Sequence, residues 1–187
     1  MRLLLASKSP RRRQLLSALG YPLQFVDIDV DEHITTHLPA HQTAEHLALR
    51  KANACPDHLI GQNDILVTAD TVVVHRDKVL GKPTSRQEAI AMLSDLSGDS
   101  HFVYTGVCLR NATRQISFTE KTTVHFRPLH QHEIEYYVDT YSPYDKAGSY
   151  GIQEWIGMMG VSGIEGCYYN VMGLPVARLY EKLQFFL

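Results

Sequence analysis

Residues 65–74 read ILVTADTVVV, an almost unbroken apolar run rich in β-branched side chains. A strand that shows no polar/apolar alternation is buried on both faces, which requires packed layers above and below it. Asp70 interrupts the run between Thr68 and Thr71. A carboxylate in such a place is paired, hydrogen-bonded or metal-bound, because burying it alone costs several kcal/mol. The alternative is a turn aspartate between two short strands.

Around this run the chain alternates strand and helix patterns. Leu3 to Ala6 read as a strand, and Ser9-Pro10 start a helix over 10–19, with Ser9 as N-cap and Pro10 at N1. An extended stretch over 23–32 and a helix from Thr43 to Ala54 follow. Residues 64–80 read as two strands with a turn near Arg76-Asp77-Lys78, and Thr84 with Gln87 forms a capping box for a helix over 85–97. A long hairpin is expected over 101–110 and 115–127, then a helix near 131–139, a glycine-rich, loop-heavy stretch over 147–173 and a closing helix from Pro175. The expectation is one α/β domain over 1–187 with a mixed sheet.

Composition narrows the function classes. The net charge of −2 gives no global field to recruit nucleic acid. No apolar run reaches the ~20 residues of a membrane span, and the start shows no signal-peptide pattern. Cys55, Cys108 and Cys167 are scattered without CxxC spacing and read as small core residues of a reducing compartment, so a cytoplasmic location is expected.

Several charges sit where apolar residues belong. Arg11, Arg12 and Arg13 crowd the positive end of the first helix, where each cation is unfavourable by up to about 1 kcal/mol. They become well placed once an anion occupies that N-terminus and its Ser7–Arg12 N–H groups. Lys51 falls in the middle of the stripe formed by Ala44, Leu47, Ala48, Ala52 and Cys55, so it either snorkels or points into a cleft. In VDIDVDE, Asp27, Asp29 and Asp31 share one face, a solvated edge or else a D-x-D metal site, while Glu32 continues the buried parity of Val26, Ile28 and Val30. Gly81-Lys82-Pro83 presents a loop lysine. If they converge, Arg12, Arg13, Lys51, Lys82, Glu32 and Asp70 describe a site for a polyphosphate carrying a divalent metal. His33, His37 and His41 are four apart, but Pro39 and two threonines favour a surface loop over a metal face. Gly98-Asp99-Ser100-His101 reads as a turn.

The joined pattern of ASKSPRRRQLLSALG, LALRKA, VTADTVV, LGKP, SPYDKAGSYGIQ and SGIEGCYYNVMGLP resembles the Maf-family nucleoside triphosphate pyrophosphatases from residue 3 to about residue 180. That resemblance implies two α/β lobes around a central cleft, with a mixed twisted sheet similar in fold to the inosine-triphosphate pyrophosphatases. It also implies a homodimer, and hydrolysis of a nucleoside triphosphate to monophosphate and pyrophosphate with Mg²⁺ or Mn²⁺. Asp70 is implied as general base, and Ser9, Arg13, Lys51, Lys82 and Lys146 as phosphate ligands. Glu32 is implied, with Asp70, at the metal. The stretch Asp145 to Gln153, DKAGSYGIQ, is similar to the branch acting on dTTP and UTP, whereas DCAGSF marks a 7-methyl-GTP branch. Arg12, Thr71 and Gln153 are the implied base-selecting positions. A Gln amide, with one donor and one acceptor, complements the O4/N3–H edge of uracil or thymine. Two alternatives stay open: a phosphatase releasing orthophosphate, and a regulatory protein linked to septum formation in cell division.

Overall fold

The computed structural model describes residues 1–30 and 38–187. Its strands form one mixed sheet in the order β2-β1-β3-β5-β6-β7, with β4 also paired to β3. They are β1 (Arg2–Leu5), β2 (Leu23–Phe25), β3 (Asp64–His75), β4 (Lys78–Leu80), β5 (Ser100–Arg110), β6 (Gln115–Phe126) and β7 (Val161–Glu165). The helices are α1 (Pro10–Ser17), α2 (Ala40–Ala54), α3 (Arg86–Leu96), α4 (Gln131–Tyr141), α5 (Trp155–Gly160), α6 (Tyr168–Met172) and α7 (Val176–Leu183). The mixed α/β class is as expected. None of the helices among the described residues is long and apolar enough to cross a membrane.

The chain divides into two compact units, and β3, β5 and β6 each contribute residues to both. Unit 1 comprises 1–71, 105–120 and 173–187. Its frame is parallel: β1 pairs with β2 on one side and with the start of β3 on the other, Leu3 standing opposite Leu23 and Ile65. Parallel neighbours need a crossover, and α1 and α2 supply them. The core beneath α2 gathers Leu4, Ala6, Ala48, Ala52, Cys55, Ile60, Leu66 and Cys108. Burial raises the Cys108 thiol to about 12, so it is a packed apolar group and not a nucleophile. Helix α2 lies so close to β5 that a Cβ on Gly106 would stand 2.2 Å from the Glu45 backbone nitrogen. Only glycine fits there.

Unit 2 comprises 72–104 and 121–172. Leu93, Leu96, Val124, Phe126, Ile134, Tyr137, Val138, Tyr150 and Ile156 are all buried in its core. Within it His101 is 1% exposed, and its Nε2 lies 2.6 Å from the Tyr150 hydroxyl. Burial lowers its pKa from 6.5 to about 3. Below pH 6.5 the unfolded chain therefore binds a proton that the folded chain refuses, and stability falls until about pH 3. The expected slope from this residue is about 1.4 kcal/mol per pH unit at its steepest. Urea unfolding of His101→Gln between pH 4 and 7 is expected to flatten that limb; an unchanged pH dependence would remove the assignment.

Several elements differ from the sequence expectation. Helix α2 starts at Ala40, so His41 is in its first turn and not in a loop. The start of α3 is one residue later than the Thr84/Gln87 box: Ser85 caps it, accepting from Glu88 N–H at 3.2 Å, and Glu88 reaches back to the Thr84 N–H. Both Thr84 and Ser85 are capping types, and the acidic partner decides between them. Of the expected extended stretch over 23–32, the described residues form a strand at Leu23–Phe25 alone, with Asp27 and Asp29 exposed beyond it; Asp31 lies outside the described residues. The glycine-rich stretch holds β7, α5 and α6 as well as loops.

Candidate functional site

Asp70 stands in the middle of one continuous strand, which removes the turn reading. Unit 1 explains how it meets Lys51. Thr68 Oγ1 donates to the Ala48 carbonyl at 2.7 Å and docks β3 against α2. Asp70 follows Thr68 on the same strand face, and Lys51 follows Ala48 by one helical turn. That register brings Lys51 Nζ to 2.6 Å from Asp70 Oδ1, with both side chains 14% exposed. The polar breaks in two apolar patterns are thus two halves of one ion pair.

Helix α1 is fastened to the same stretch of β3. Strand β1 pairs with residues 64–67 only, so the Ala69 carbonyl lies beyond that ladder. Arg12 Nη1 donates to it at 2.9 Å, Nη2 to Thr71 Oγ1 at 2.9 Å, and Nε to the Gly173 carbonyl at 2.8 Å. Thr71 Oγ1 also lies 2.9 Å from Thr105 Oγ1 on β5. Gly173 has φ +115°, a conformation that favours glycine, and this turn presents its carbonyl to Arg12. The arginines at this helix start have partners in the protein itself. Arg13 stacks over the Phe25 ring at 4.5 Å and donates to the Ser7 carbonyl at 3.4 Å. Ser9 caps α1, accepting from Arg12 N–H at 3.4 Å, while Ser9 N–H donates to Ser7 Oγ at 3.2 Å. Two of the backbone donors expected to cradle an anion therefore have side-chain acceptors.

Unit 2 carries Lys82, Lys146 and Gln153. The Gly148 N–H donates to the Gly81 carbonyl at 3.0 Å, which joins the LGKP loop to the DKAGS turn and so brings the backbones carrying Lys82 and Lys146 together. Lys82 is exposed. Lys146 is buried, its ammonium 2.7 Å from Asp145 Oδ1 and 3.1 Å from Glu154 Oε1. Tyr137 is fully buried and its hydroxyl donates to Glu154. Burial, then Glu154, raises the pKa of that phenol. Neither Glu154 nor Thr105 was visible as a site residue in the sequence. A signal for Glu154 existed: a lone acid inside the apolar IQEWI. Glu32 lies outside the described residues, as do His33 and His37.

Among the described residues no three or more His, Cys, Asp or Glu side chains form a cluster able to hold an ion. Asp70 offers a single hard oxygen donor. A carboxylate oxygen is the donor type that a magnesium-type cation takes together with waters and phosphate oxygens.

The family model described as Maf-like protein matches residues 2–186. The chain belongs to the Maf family. Curated Maf relatives include a dTTP/UTP pyrophosphatase from Bacteroides fragilis, 49% identical over 184 residues, or 98% of this chain and 95% of the relative. Another bears the same name in Parabacteroides distasonis, at 46% identity over 186 residues, covering 99% of this chain and 96% of the relative. Among solved structures, the Staphylococcus aureus Ham1 protein is similar at a TM-score of 0.48 and 14% identity, over 67% of this chain and 72% of that one.

Proposed function

We propose that this chain hydrolyses dTTP and UTP to the nucleoside monophosphate and pyrophosphate. The observation that carries the reading is the environment of Asp70: a carboxylate in mid-strand, held by Lys51 at 2.6 Å, on a segment whose neighbours Ala69 and Thr71 are both bonded by Arg12. The names of relatives at 46–49% identity over nearly the whole chain support the same substrates.

In this reading Asp70 Oδ takes a proton from water as the water oxygen bonds to the α-phosphorus. The bond from that phosphorus to the bridging oxygen breaks, and its electron pair leaves with pyrophosphate. Lys51, Arg13, Lys82 and Lys146 hold the phosphates and offset the charge that develops on the leaving group. Ser9 caps α1 at the phosphates, while Arg12, Thr71 and Gln153 select the base. A divalent cation bound at Asp70, with Glu32, would neutralise triphosphate charge and polarise the phosphoryl oxygens. A homodimer and a cytoplasmic location belong to the same proposal and rest on the family resemblance.

The test is a panel of nucleoside triphosphates with Mg²⁺ or Mn²⁺ in ¹⁸O-labelled water. Pyrophosphate is expected from dTTP and UTP, with the label in the nucleoside monophosphate. Release of orthophosphate instead, or label in pyrophosphate, overturns the reading.

A further inference from the structure

Unit 2 contains a hydrogen-bonded network that the reaction as written leaves unused. The oxygen of Tyr137, on α4, accepts from the Gly151 N–H at 3.0 Å while its proton goes to Glu154 Oε2. The Glu154 N–H in turn donates to the Gly151 carbonyl at 3.0 Å, closing residues 151–154 into a turn. One phenol therefore grips both ends of the turn, and Gln153 occupies its third position. A Cβ on Gly151 would meet the Glu154 carboxyl carbon at 2.9 Å and Gln153 Nε2 at 3.0 Å, so the amide side chain is folded back against the start of its own turn. Its Oε1 is buried and has no hydrogen-bond partner among the described residues. A buried acceptor without a donor is costly, and a turn clamped at both ends keeps it from relaxing away. Meanwhile the second oxygen of Glu154 lies 3.1 Å from the Lys146 ammonium.

We infer that Tyr137 and Glu154 are positioning residues of the nucleotide site: they hold the 151–154 turn so that Gln153 Oε1 receives an N–H from the base, and the same carboxylate holds Lys146. The inference rests on the reading of Gln153 as the base-selecting side chain. Its chemistry is specific. A rigid acceptor favours a pyrimidine bearing an imino N3–H, as uracil and thymine do, over cytosine, whose N3 is an acceptor.

The experiment compares kcat/KM for UTP and CTP. Tyr137→Phe is expected to lower the UTP:CTP ratio about tenfold, the discrimination carried by one hydrogen bond. Glu154→Ala behaves alike, while Glu154→Gln keeps the ratio within about threefold because its amide oxygen still accepts from the phenol. Gln153→Ala lowers the ratio by itself, and adding Tyr137→Phe to it lowers the ratio no further. A Tyr137→Phe enzyme that loses both kcat/KM values in proportion, or keeps the ratio while Gln153→Ala loses it, overturns the inference. If Gln153→Ala leaves the ratio intact, the reading of Gln153 itself fails, and the inference with it.

Discussion

Asp70→Asn is expected to lower pyrophosphate release from UTP by about a thousandfold, within the range that a general base contributes. Asparagine matches the shape of the side chain on β3 but accepts no proton from water. The substitution also leaves the Lys51 ammonium, 14% exposed, facing a neutral amide. Removing one partner of a fully buried pair costs about 3–5 kcal/mol, and partial exposure reduces that here. Loss of turnover and loss of stability must therefore be separated. Urea unfolding of Asp70→Asn beside Asp70→Asn/Lys51→Met does so: the second change is expected to recover stability and no activity, since the two residues couple directly. Turnover near the parent rate in the single variant would refute the role of Asp70.

Arg12→Ala is expected to destabilise unit 1 by about 3 kcal/mol: charged-group hydrogen bonds contribute roughly 1.5–3 kcal/mol each, and water reaching the part-buried acceptors offsets part of the sum over three. Those acceptors belong to Ala69, Thr71 and Gly173. Arg12→Lys is expected to recover less than half of the loss, since one ammonium on a flexible stem does not reproduce a planar fork with three fixed directions. The urea midpoint reads both. A midpoint unmoved by Arg12→Ala would show that the three bonds merely replace water at no net gain.

Which features were legible in the sequence follows from how local they are. Period and apolarity located β3, α2 and the β5–β6 hairpin, because burial of a strand or a helix face leaves its mark within ten residues. Lys51 and Asp70 were both flagged as polar breaks, yet their pairing depends on the Thr68–Ala48 contact, which no pattern within either segment encodes. Arg12 leans onto the sheet, bonding to the Ala69 carbonyl and the Thr71 hydroxyl of β3. Its bond to the Gly173 carbonyl, 161 residues away, is one that helix position does not encode. Glu154 escaped notice for another reason. Glycines at 148, 151, 157, 160 and 163 read as loop, whereas short helices and a strand also use them.

The boundaries of unit 1 carry a consequence for biosynthesis. It is assembled from three separate stretches of chain, the last being 173–187, and Arg12 is bonded to the first residue of that stretch. A ribosome exposes α1 long before that carbonyl emerges, so the nascent helix waits for a further 161 residues of chain before it locks. Folding of this unit is accordingly completed late and slowed by long-range closure. No single proteolytic nick or split of the gene would release it as a self-sufficient half.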